Sequence, residues 1–295
     1  MIILSERFTI EIIKWGSSNG EIQQKDIQQL LVKNRAFWLG ENFFTSFRTL
    51  HGSPLFLEDH LNRLVGSLKY FYDGAIHPEG LEQLIGSLIN VLNDTCKISQ
   101  NKFSESQFES YIRLTIIPEM RKFAIDDGLE FYFQIYLNEL PATKKVKNCC
   151  FKQRSLGVMP FGKVGDYNHQ SRDLMLANRK GFDEVIYHSP TGSLLEATTS
   201  NLIVVDLKEK LVVRPRSELI FEGITSEKLV PIFHDMGYQI VNTNINYQAI
   251  DKTKHLLLTN SVSLVTCGIV NGSPPVDHDF VSEINRLLLR KEIEK

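Results

Sequence analysis

The chain has 295 residues, of which 42% are hydrophobic and 23% are charged, and its formal net charge is -2 at pH 7. This length and composition are typical of a globular protein with one large domain or two medium ones. The near-neutral charge gives no reason to expect a nucleic acid or an acidic membrane surface as a partner. We expect neither a signal peptide nor a membrane span, since no stretch approaches the roughly 18 apolar residues that a span requires.

The cysteines are Cys96, Cys149, Cys150 and Cys267. They form no C-x-x-C pair and have no metal-ligand spacing with histidine, so we expect no metal site. The adjacent Cys149 and Cys150 point to opposite faces of a strand and do not readily bond to each other. We therefore expect reduced thiols in a cytoplasmic protein.

The first half of the chain contains segments with the two-residue repeat of strands and segments with helical spacing. Alternating apolar residues begin at Phe8, and later segments rich in β-branched and aromatic residues predict further strands. Those strands are Phe43 to Leu50, Tyr111 to Ile117 and Leu129 to Leu137. Leucines at helical spacing predict one helix that begins near Leu57 and another over Leu81 to Leu92.

The segment from Pro141 to Lys147 is polar and contains proline, and it separates two periodic regions. These are the properties of a linker between domains. We therefore expect a smaller α+β N-terminal domain over residues 1–140, a linker over 141–147 and a larger α+β C-terminal domain over 148–295.

The second half again mixes strand and helix patterns. Its predicted strands are Cys149 to Val158, Asp183 to His188, Ser193 to Glu196, Leu202 to Val205, Leu211 to Val213 and Leu256 to Thr259. Its predicted helices are Gln170 to Lys180, Ser226 to Met236 and Phe280 to Lys291. Because strands and helices do not alternate strictly in either half, the order favours two α+β domains over a doubly wound parallel sheet.

The first chemically informative motif is a lysine between glycines, Gly162-Lys163-Val164-Gly165. Taken alone, a lysine on a surface loop is the commoner explanation. Three further motifs follow in order: Gly181-Phe182-Asp183-Glu184, then Glu196-Ala197-Thr198-Thr199-Ser200-Asn201-Leu202, then Gly223-Ile224-Thr225. The series, rather than any one motif, makes a functional role for Lys163 the better interpretation.

Two motifs near the N-terminus complete the set: Phe44-Thr45-Ser46-Phe47-Arg48 and His60-Leu61-Asn62-Arg63-Leu64. In this order and spacing, over roughly residues 40 to 275, the motifs resemble those of the class IV aminotransferases. These fold-type IV pyridoxal-phosphate enzymes include branched-chain and D-amino-acid aminotransferases and aminodeoxychorismate lyases. The resemblance implies a two-domain α+β fold like that of D-amino-acid aminotransferase, pyridoxal 5'-phosphate as cofactor, amino acids and 2-oxo acids as small-molecule substrates, and a homodimer.

The resemblance assigns the cofactor's reactive groups to two residues. Lys163 is expected to carry the cofactor as a Schiff base and to shuttle the α-proton, both of which require an unprotonated amine. Glu196 is expected to lie beside the cofactor ring nitrogen, where a carboxylate favours the protonated ring. The alternative for Glu196 is an exposed glutamate at a strand end.

The cofactor phosphate is a dianion, and the resemblance maps its site onto four residues. Arg63 is similar to the family's phosphate-binding arginine, because a guanidinium binds phosphate in a bidentate way. Ile224 and Thr225 open a predicted helix whose amides attract anions, although a plain helix cap is an equally good account of them. Ser261 lies in a turn, Thr259 to Val262, that resembles the family's second phosphate-side turn.

The remaining expected contacts are less specific to the family. Tyr167 is either a partner of the cofactor's phenolic oxygen or a core tyrosine, and Ser200 and Asn201 fix the turn beside Glu196 or contact the cofactor. The expected substrate contacts are Arg113, Arg48, Phe44, Thr45 and Val262. Either arginine can bind a substrate carboxylate, and either can equally belong to a structural ion pair.

Some positions depart from the family pattern and leave the subfamily open. Asp166 stands where the family often has asparagine, and Ser226 stands where it commonly has arginine. Thr45 is similar to the corresponding residue of the lyases, whereas Tyr111-Ile112-Arg113 is similar to the Y-I-R of branched-chain enzymes. We expect transamination between an amino acid and a 2-oxo acid. The alternative is an aminodeoxychorismate lyase that eliminates pyruvate and yields 4-aminobenzoate.

A third hypothesis is a cofactor-free descendant that serves as a binding protein or scaffold. It predicts the loss of Lys163, Glu196 or Arg63. All three residues are present, so the sequence favours an enzyme.

Overall fold

The computed structural model describes residues 3–5, 8–16, 22–24, 40–72, 85–86, 88–90, 92–94, 109–118, 130–154, 163, 165, 167–250, 254–270, 273 and 275–293. The chain divides into two compact units. The first unit comprises Met1–Pro141 and Phe161–Asp166, and the second comprises Ala142–Pro160 and Tyr167–Lys295. Each unit has its own sheet.

The sheet of the first unit has the strand order β1-β2-β7-β6-β4-β5, with β3 beside β2. Its strands are β1 (Ile3–Ser5), β2 (Phe8–Gly16), β3 (Ile22–Gln24), β4 (Phe43–Leu50), β5 (Ser53–Pro54), β6 (Ser110–Pro118) and β7 (Glu130–Glu139). All described pairings in this sheet are antiparallel. The strand prediction over residues 43–50 is confirmed at both ends.

Helix α1 (Leu57–Phe71) packs against this sheet through its leucines. Because side chains alternate along a strand, Phe43 and Phe47 of β4 point into the same core, and both are almost fully buried. Within the second helix predicted here, residues 85–86, 88–90 and 92–94 are described and helical, and Leu88 and Leu92 join the core. The other face of β4 carries Phe44, Ser46 and Arg48, so these three side chains point away from this core.

The sheet of the second unit has the order β10-β9-β8-β15-β14-β11-β12-β13. Its strands are β8 (Val146–Gln153), β9 (Glu184–His188), β10 (Leu194–Ala197), β11 (Asn201–Asp206), β12 (Leu211–Pro215), β13 (Gln239–Thr243), β14 (His255–Asn260) and β15 (Leu264–Ile269). Its helices are α2 (Asn168–Asn178), α3 (Ile224–Asp235) and α4 (His278–Ile293), with a 3-10 turn at Tyr247–Ala249. Strands β9 and β10 form the predicted hairpin, whose turn includes Gly192 at φ +85°.

Two strands of this sheet have no counterpart among the predicted elements. Strand β13 is short and polar, and it pairs in parallel with β12 at the sheet edge. Strand β15 is buried throughout most of its length between β14 and β8, and it has no period-two alternation to mark it. Pairing with neighbouring strands, rather than a local pattern, makes both segments strands.

The division of the chain differs from the predicted one at two points. Residues 146 and 147, which were expected to lie in a linker, begin β8 and pair with β15. The segment Phe161–Asp166, which includes Lys163, belongs to the first unit rather than to the C-terminal domain. The reason is local, because backbone hydrogen bonds attach this segment to the start of β4. In the part of the chain that the structure describes, no helix has both the length and the apolar character needed to cross a membrane.

Candidate functional site

Lys163 is held by its backbone against β4. The carbonyl of Lys163 accepts from the N–H of Phe44 at 2.9 Å, and the N–H of Gly165 donates to the carbonyl of Asn42 at 2.9 Å. A Cβ at position 165 would overlap the Asn42 side chain, so this close approach requires glycine. The Nζ atom of Lys163 lies 5.3 Å from the centroid of the Phe44 ring. The lysine amine is therefore anchored beside the face of β4 that points away from the core.

The same face of the sheet carries a second cation. The guanidinium carbon of Arg113 lies 3.8 Å from the centroid of the Phe44 ring, and Arg113 is opposite Ser46 in the β4–β6 register. The Ser46 hydroxyl is 3.2 Å from the Tyr111 hydroxyl. Arg113 makes no hydrogen bond or ion pair with another residue in the described ranges. Its guanidinium can therefore bind an anion on the face of β4 that carries Phe44.

Arg48 is in a different environment from Arg113. Its guanidinium pairs with Glu109, and its side chain is 12% exposed. Burial lowers the pKa of Arg48 from its ordinary value. Of the two arginines that the sequence left as equal candidates for a substrate carboxylate, Arg48 is thus the structural ion pair and Arg113 the available cation.

Arg63 is tied to β4 through Thr45. The Nη2 atom of Arg63 donates to the Thr45 hydroxyl at 3.1 Å, and that hydroxyl lies 2.6 Å from Nδ1 of His60. The Thr45 oxygen accepts from Arg63, and the Thr45 proton can be donated to Nδ1 of His60 when that nitrogen carries no proton. Thr45 and His60 are fully buried. The structure thus places Thr45 on the core face, where it orients Arg63, rather than on the face that carries Phe44.

In the second unit, Glu196 lies on β10 with its carboxylate held at both oxygens. Oε1 accepts from Nη1 of Arg154 at 2.9 Å, and Oε2 accepts from the N–H of Phe221 at 3.3 Å. The same Nη1 of Arg154 donates to the carbonyl of Leu219 at 2.8 Å. Sequence reasoning missed Arg154, because no spacing rule connects the end of β8 to the middle of β10.

The turn that follows Glu196 is fixed by a buried acid. Glu184, which is 1% exposed, accepts hydrogen bonds from the hydroxyls of Thr198 and Thr199 and from the N–H of Val185. Lys147 lies 3.8 Å from the same carboxylate. A buried carboxylate needs such partners to remain charged. The Gly181–Glu184 motif therefore supports the turn beside Glu196.

Ser200 and Asn201 link this turn to two neighbouring segments. The Ser200 hydroxyl accepts from Nδ2 of Asn260 at 3.2 Å. Nδ2 of Asn201 donates to the carbonyl of Phe221 at 2.7 Å. Both residues thus have the turn-fixing contacts that the sequence predicts for them, and a direct cofactor contact by either stays a prediction.

Two buried hydroxyls lie beside the N-terminus of α3. The Thr225 and Ser261 hydroxyls are 3.1 Å apart, and the two residues are 1% and 8% exposed. Gly223 precedes the helix with no side-chain cap, so the first-turn amides at Ile224 and Thr225 have no capping side chain and can bind an anion. The N–H of Val262 instead donates to Oδ1 of Asn260 at 2.9 Å. Two buried hydroxyls and a helix N-terminus form a donor set that fits a phosphate group.

Arg214, on β12, contacts the start of α3 just after Gly223-Ile224-Thr225. Its Nε donates to the Ser226 hydroxyl at 3.2 Å, and its guanidinium pairs with Glu227 on α3.

Tyr167 immediately precedes α2, and its carbonyl accepts from the N–H of Ser171 at 2.9 Å. Its expected contact with the cofactor stays a prediction. Among the described residues, no group of His, Cys, Asp and Glu side chains is arranged to hold a metal ion.

Comparisons with known proteins show the family to which the chain belongs. The family model for amino-transferase class IV matches residues 42–267. A protein of Methanocaldococcus jannaschii that is named as a branched-chain-amino-acid aminotransferase is 20% identical over 282 residues, which are 92% of this chain and 93% of that protein.

Two solved structures share the fold. A fold IV transaminase from Curtobacterium pusillum has a TM-score of 0.78 at 19% identity, covering 97% of this chain and 99% of that one. The PLP-bound form of an aminotransferase from Mycobacterium tuberculosis has a TM-score of 0.74 at 18% identity, covering 96% of this chain and 99% of that one. At these low identities the two structures show a common fold only. Family membership is shown by the family model, which spans most of the chain. The chain belongs to the class IV aminotransferases, a family of pyridoxal-phosphate-dependent enzymes.

Proposed function

We propose that this enzyme moves an amino group between an amino acid and a 2-oxo acid, with pyridoxal 5'-phosphate bound covalently at Lys163. The observation that carries the proposal is the buried hydroxyl pair of Thr225 and Ser261 at the N-terminus of α3. One of the two hydroxyls donates to the other, so the second hydroxyl proton and the uncapped helix amides remain to bind a phosphate dianion. When bound, the cofactor supplies an electron sink for the charge that develops at the substrate α-carbon.

The residues have distinct tasks in this reaction. The Lys163 amine forms the covalent attachment and accepts or returns the α-proton. The Glu196 carboxylate favours a protonated ring nitrogen. Arg63 adds a cation for the phosphate, since its guanidinium offers paired donors. Arg113 binds a substrate carboxylate, because it is the cation on the Lys163 side of β4 that lacks an ion pair with another described residue.

The geometry favours transamination over the lyase alternative. A lyase acting on aminodeoxychorismate needs an aromatic pocket, for which Thr45 and the neighbouring Phe43, Phe44 and Phe47 are the candidates on β4. Thr45 is buried against His60 and Arg63, and Phe43 and Phe47 lie in the core of the first unit. Of these four residues, Phe44 alone has contacts with the cations that would meet a substrate.

The test is the visible absorption spectrum of the purified protein before and after addition of L-glutamate without an acceptor. We expect a yellow protein that loses its colour and releases one equivalent of 2-oxo acid. Borohydride reduction followed by peptide mass spectrometry should place the cofactor on Lys163. Lys163→Ala should abolish both signals, whereas Lys208→Ala should change neither, since Lys208 is 91% exposed on a turn.

Two outcomes would overturn the proposal. A protein that binds no pyridoxal phosphate would exclude the whole cofactor assignment. A yellow protein that does not react with amino acids but releases pyruvate from aminodeoxychorismate would replace the transaminase by the lyase.

The family resemblance also supports a cytoplasmic homodimer, and sedimentation equilibrium on the intact chain tests the dimer directly.

A further inference from the structure

We infer that Arg154 is a positioning residue for Glu196 and that it governs how the glutamate meets the cofactor ring nitrogen. The inference rests on the proposed function, because it requires Glu196 to face that nitrogen. Nη1 of Arg154 donates to Oε1 of Glu196 at 2.9 Å and to the carbonyl of Leu219 at 2.8 Å. The arginine thus connects the strand that carries Glu196 to the segment that follows β12.

The opposite side of the carboxylate is held by the same segment. Oε2 of Glu196 accepts from the N–H of Phe221 at 3.3 Å, two residues beyond the Leu219 carbonyl that Arg154 binds. The carboxylate therefore has a donor at each oxygen, and both donors depend on the 219–221 segment. Such a two-point attachment restricts rotation of the carboxylate plane, which a single hydrogen bond leaves open.

Arg154 is itself well fixed. Its N–H donates to the carbonyl of His188 at 2.9 Å, which extends the pairing of β8 with β9. Its guanidinium carbon lies 5.7 Å from the centroid of the Tyr187 ring. The Tyr187 hydroxyl in turn donates to Oδ2 of Asp173 at 3.0 Å. A rigid support of this kind allows Arg154 to impose an orientation on Glu196 rather than follow it.

The Arg154–Glu196 ion pair is largely shielded from water. The side chains of Arg154 and Glu196 are 17% and 16% exposed, so water screens their charges far less than it screens a surface pair. A guanidinium at one oxygen draws away part of the negative charge that the ring nitrogen would experience. Arg154 therefore sets both the geometry and the strength of the contact between Glu196 and the cofactor.

A double-mutant cycle with Arg154→Met and Glu196→Gln tests this role. Each variant is assayed for pyridoxal-phosphate affinity, for kcat in transamination and for the pH midpoint of the bound cofactor's absorption. If Arg154 acts through Glu196, Arg154→Met lowers affinity and kcat by about tenfold in the wild-type background and has little effect in the Glu196→Gln background. Arg154→Lys should restore part of the loss, because it keeps the charge without the paired donors.

A matched control separates positioning from stability. Arg48→Met removes another arginine from a largely buried ion pair, the one with Glu109 in the first unit. It should lower stability without shifting the pH midpoint and without coupling to Glu196→Gln.

Equal effects of Arg154→Met in both backgrounds, or a loss of stability with an unchanged pH midpoint, would overturn the positioning role while leaving the proposed function intact. Failure of the wild-type protein to bind the cofactor would instead reject the proposed function, and the role of Arg154 with it.

Discussion

Thr45 and His60 share a 2.6 Å hydrogen bond in the fully buried region beneath Arg63. The same threonine oxygen accepts from Nη2 of Arg63 at 3.1 Å. A neutral hydroxyl thus orients the arginine. The guanidinium of Arg63 is held in place by a neutral partner on β4.

Thr45→Val should therefore weaken cofactor binding. Removal of the hydroxyl leaves His60 and Arg63 without this partner, and we expect a loss of about 1–2 kcal/mol in cofactor binding and a similar loss of stability. Thr49→Val is the matched control, since Thr49 is a buried threonine of the same strand whose hydroxyl accepts from the N–H of Ser110. Fluorescence titration with pyridoxal phosphate should show weaker binding in Thr45→Val alone. Equal affinities in both variants would reject the link to Arg63.

Thr225→Val and Ser261→Ala should each weaken binding of pyridoxal phosphate, and together they should do so by less than the sum of their separate effects. The two hydroxyls are 3.1 Å apart, and groups in one hydrogen-bond network are not additive. Neither variant should change the affinity for pyridoxal, which lacks the phosphate. A change of equal size for both ligands would place these hydroxyls elsewhere than at the phosphate. Ser273→Ala, at a buried serine that binds the N–H of Val270, is the control.

Gly223→Ala should destabilise the second unit and weaken cofactor binding. A Cβ at this position would overlap the Asn201 side-chain amide, so either Asn201 or the start of α3 must move. We expect a loss of about 1–3 kcal/mol in the free energy of unfolding. Gly66→Ala is the converse case, because nothing lies within 4 Å of a Cβ placed there in α1. That variant should gain about 0.5–1 kcal/mol from helix propensity. Thermal denaturation of both variants measures the difference.

Stability should fall in alkaline solution through Cys149. Burial raises the pKa of this thiol from 9.0 to about 12. The unfolded chain releases the thiol proton above pH 9, whereas the folded chain holds it until about pH 12. This contribution is therefore fully present below pH 9 and is lost progressively between pH 9 and 12. Cys149→Ala should show a shallower decline across this window in urea titrations. A decline as steep as in the wild type would show that other groups cause the loss of stability at alkaline pH.

Arg113→Met should raise KM for a dicarboxylic 2-oxo acid far more than KM for an aliphatic monocarboxylic one. The guanidinium stacks on Phe44 beside Lys163, and a lost charge-assisted hydrogen bond costs about 1.5–3 kcal/mol. Arg48→Met should instead lower the thermal midpoint with little selectivity between acceptors, because Arg48 is paired with Glu109. A uniform rise in KM for both acceptors in Arg113→Met would instead place Arg113 at the carboxylate that the two acceptors share, and no rise in either would remove Arg113 from substrate binding.

Several features of this protein are determined by its sequence alone. The aromatic and β-branched residues of Phe43–Leu50 and the leucine spacing of Leu57–Phe71 predict a strand and a helix that the structure confirms. The ordered motifs around Lys163, Glu196 and Gly223 predict the family, and the family model confirms it. Local periodicity and chemically required residue types are properties of short segments, so they can be read without a fold.

Tertiary structure decided which side chains work together. Arg154 and Glu196 are 42 residues apart in sequence, and Arg48 and Glu109 are 61 apart. No local pattern records either pair, and so the sequence neither finds Arg154 nor separates Arg48 from Arg113. The core-facing position of Thr45 likewise follows from the β4 pleat and from the approach of α1. These contacts arise where strands distant in sequence become neighbours in a sheet, and only folding brings them together.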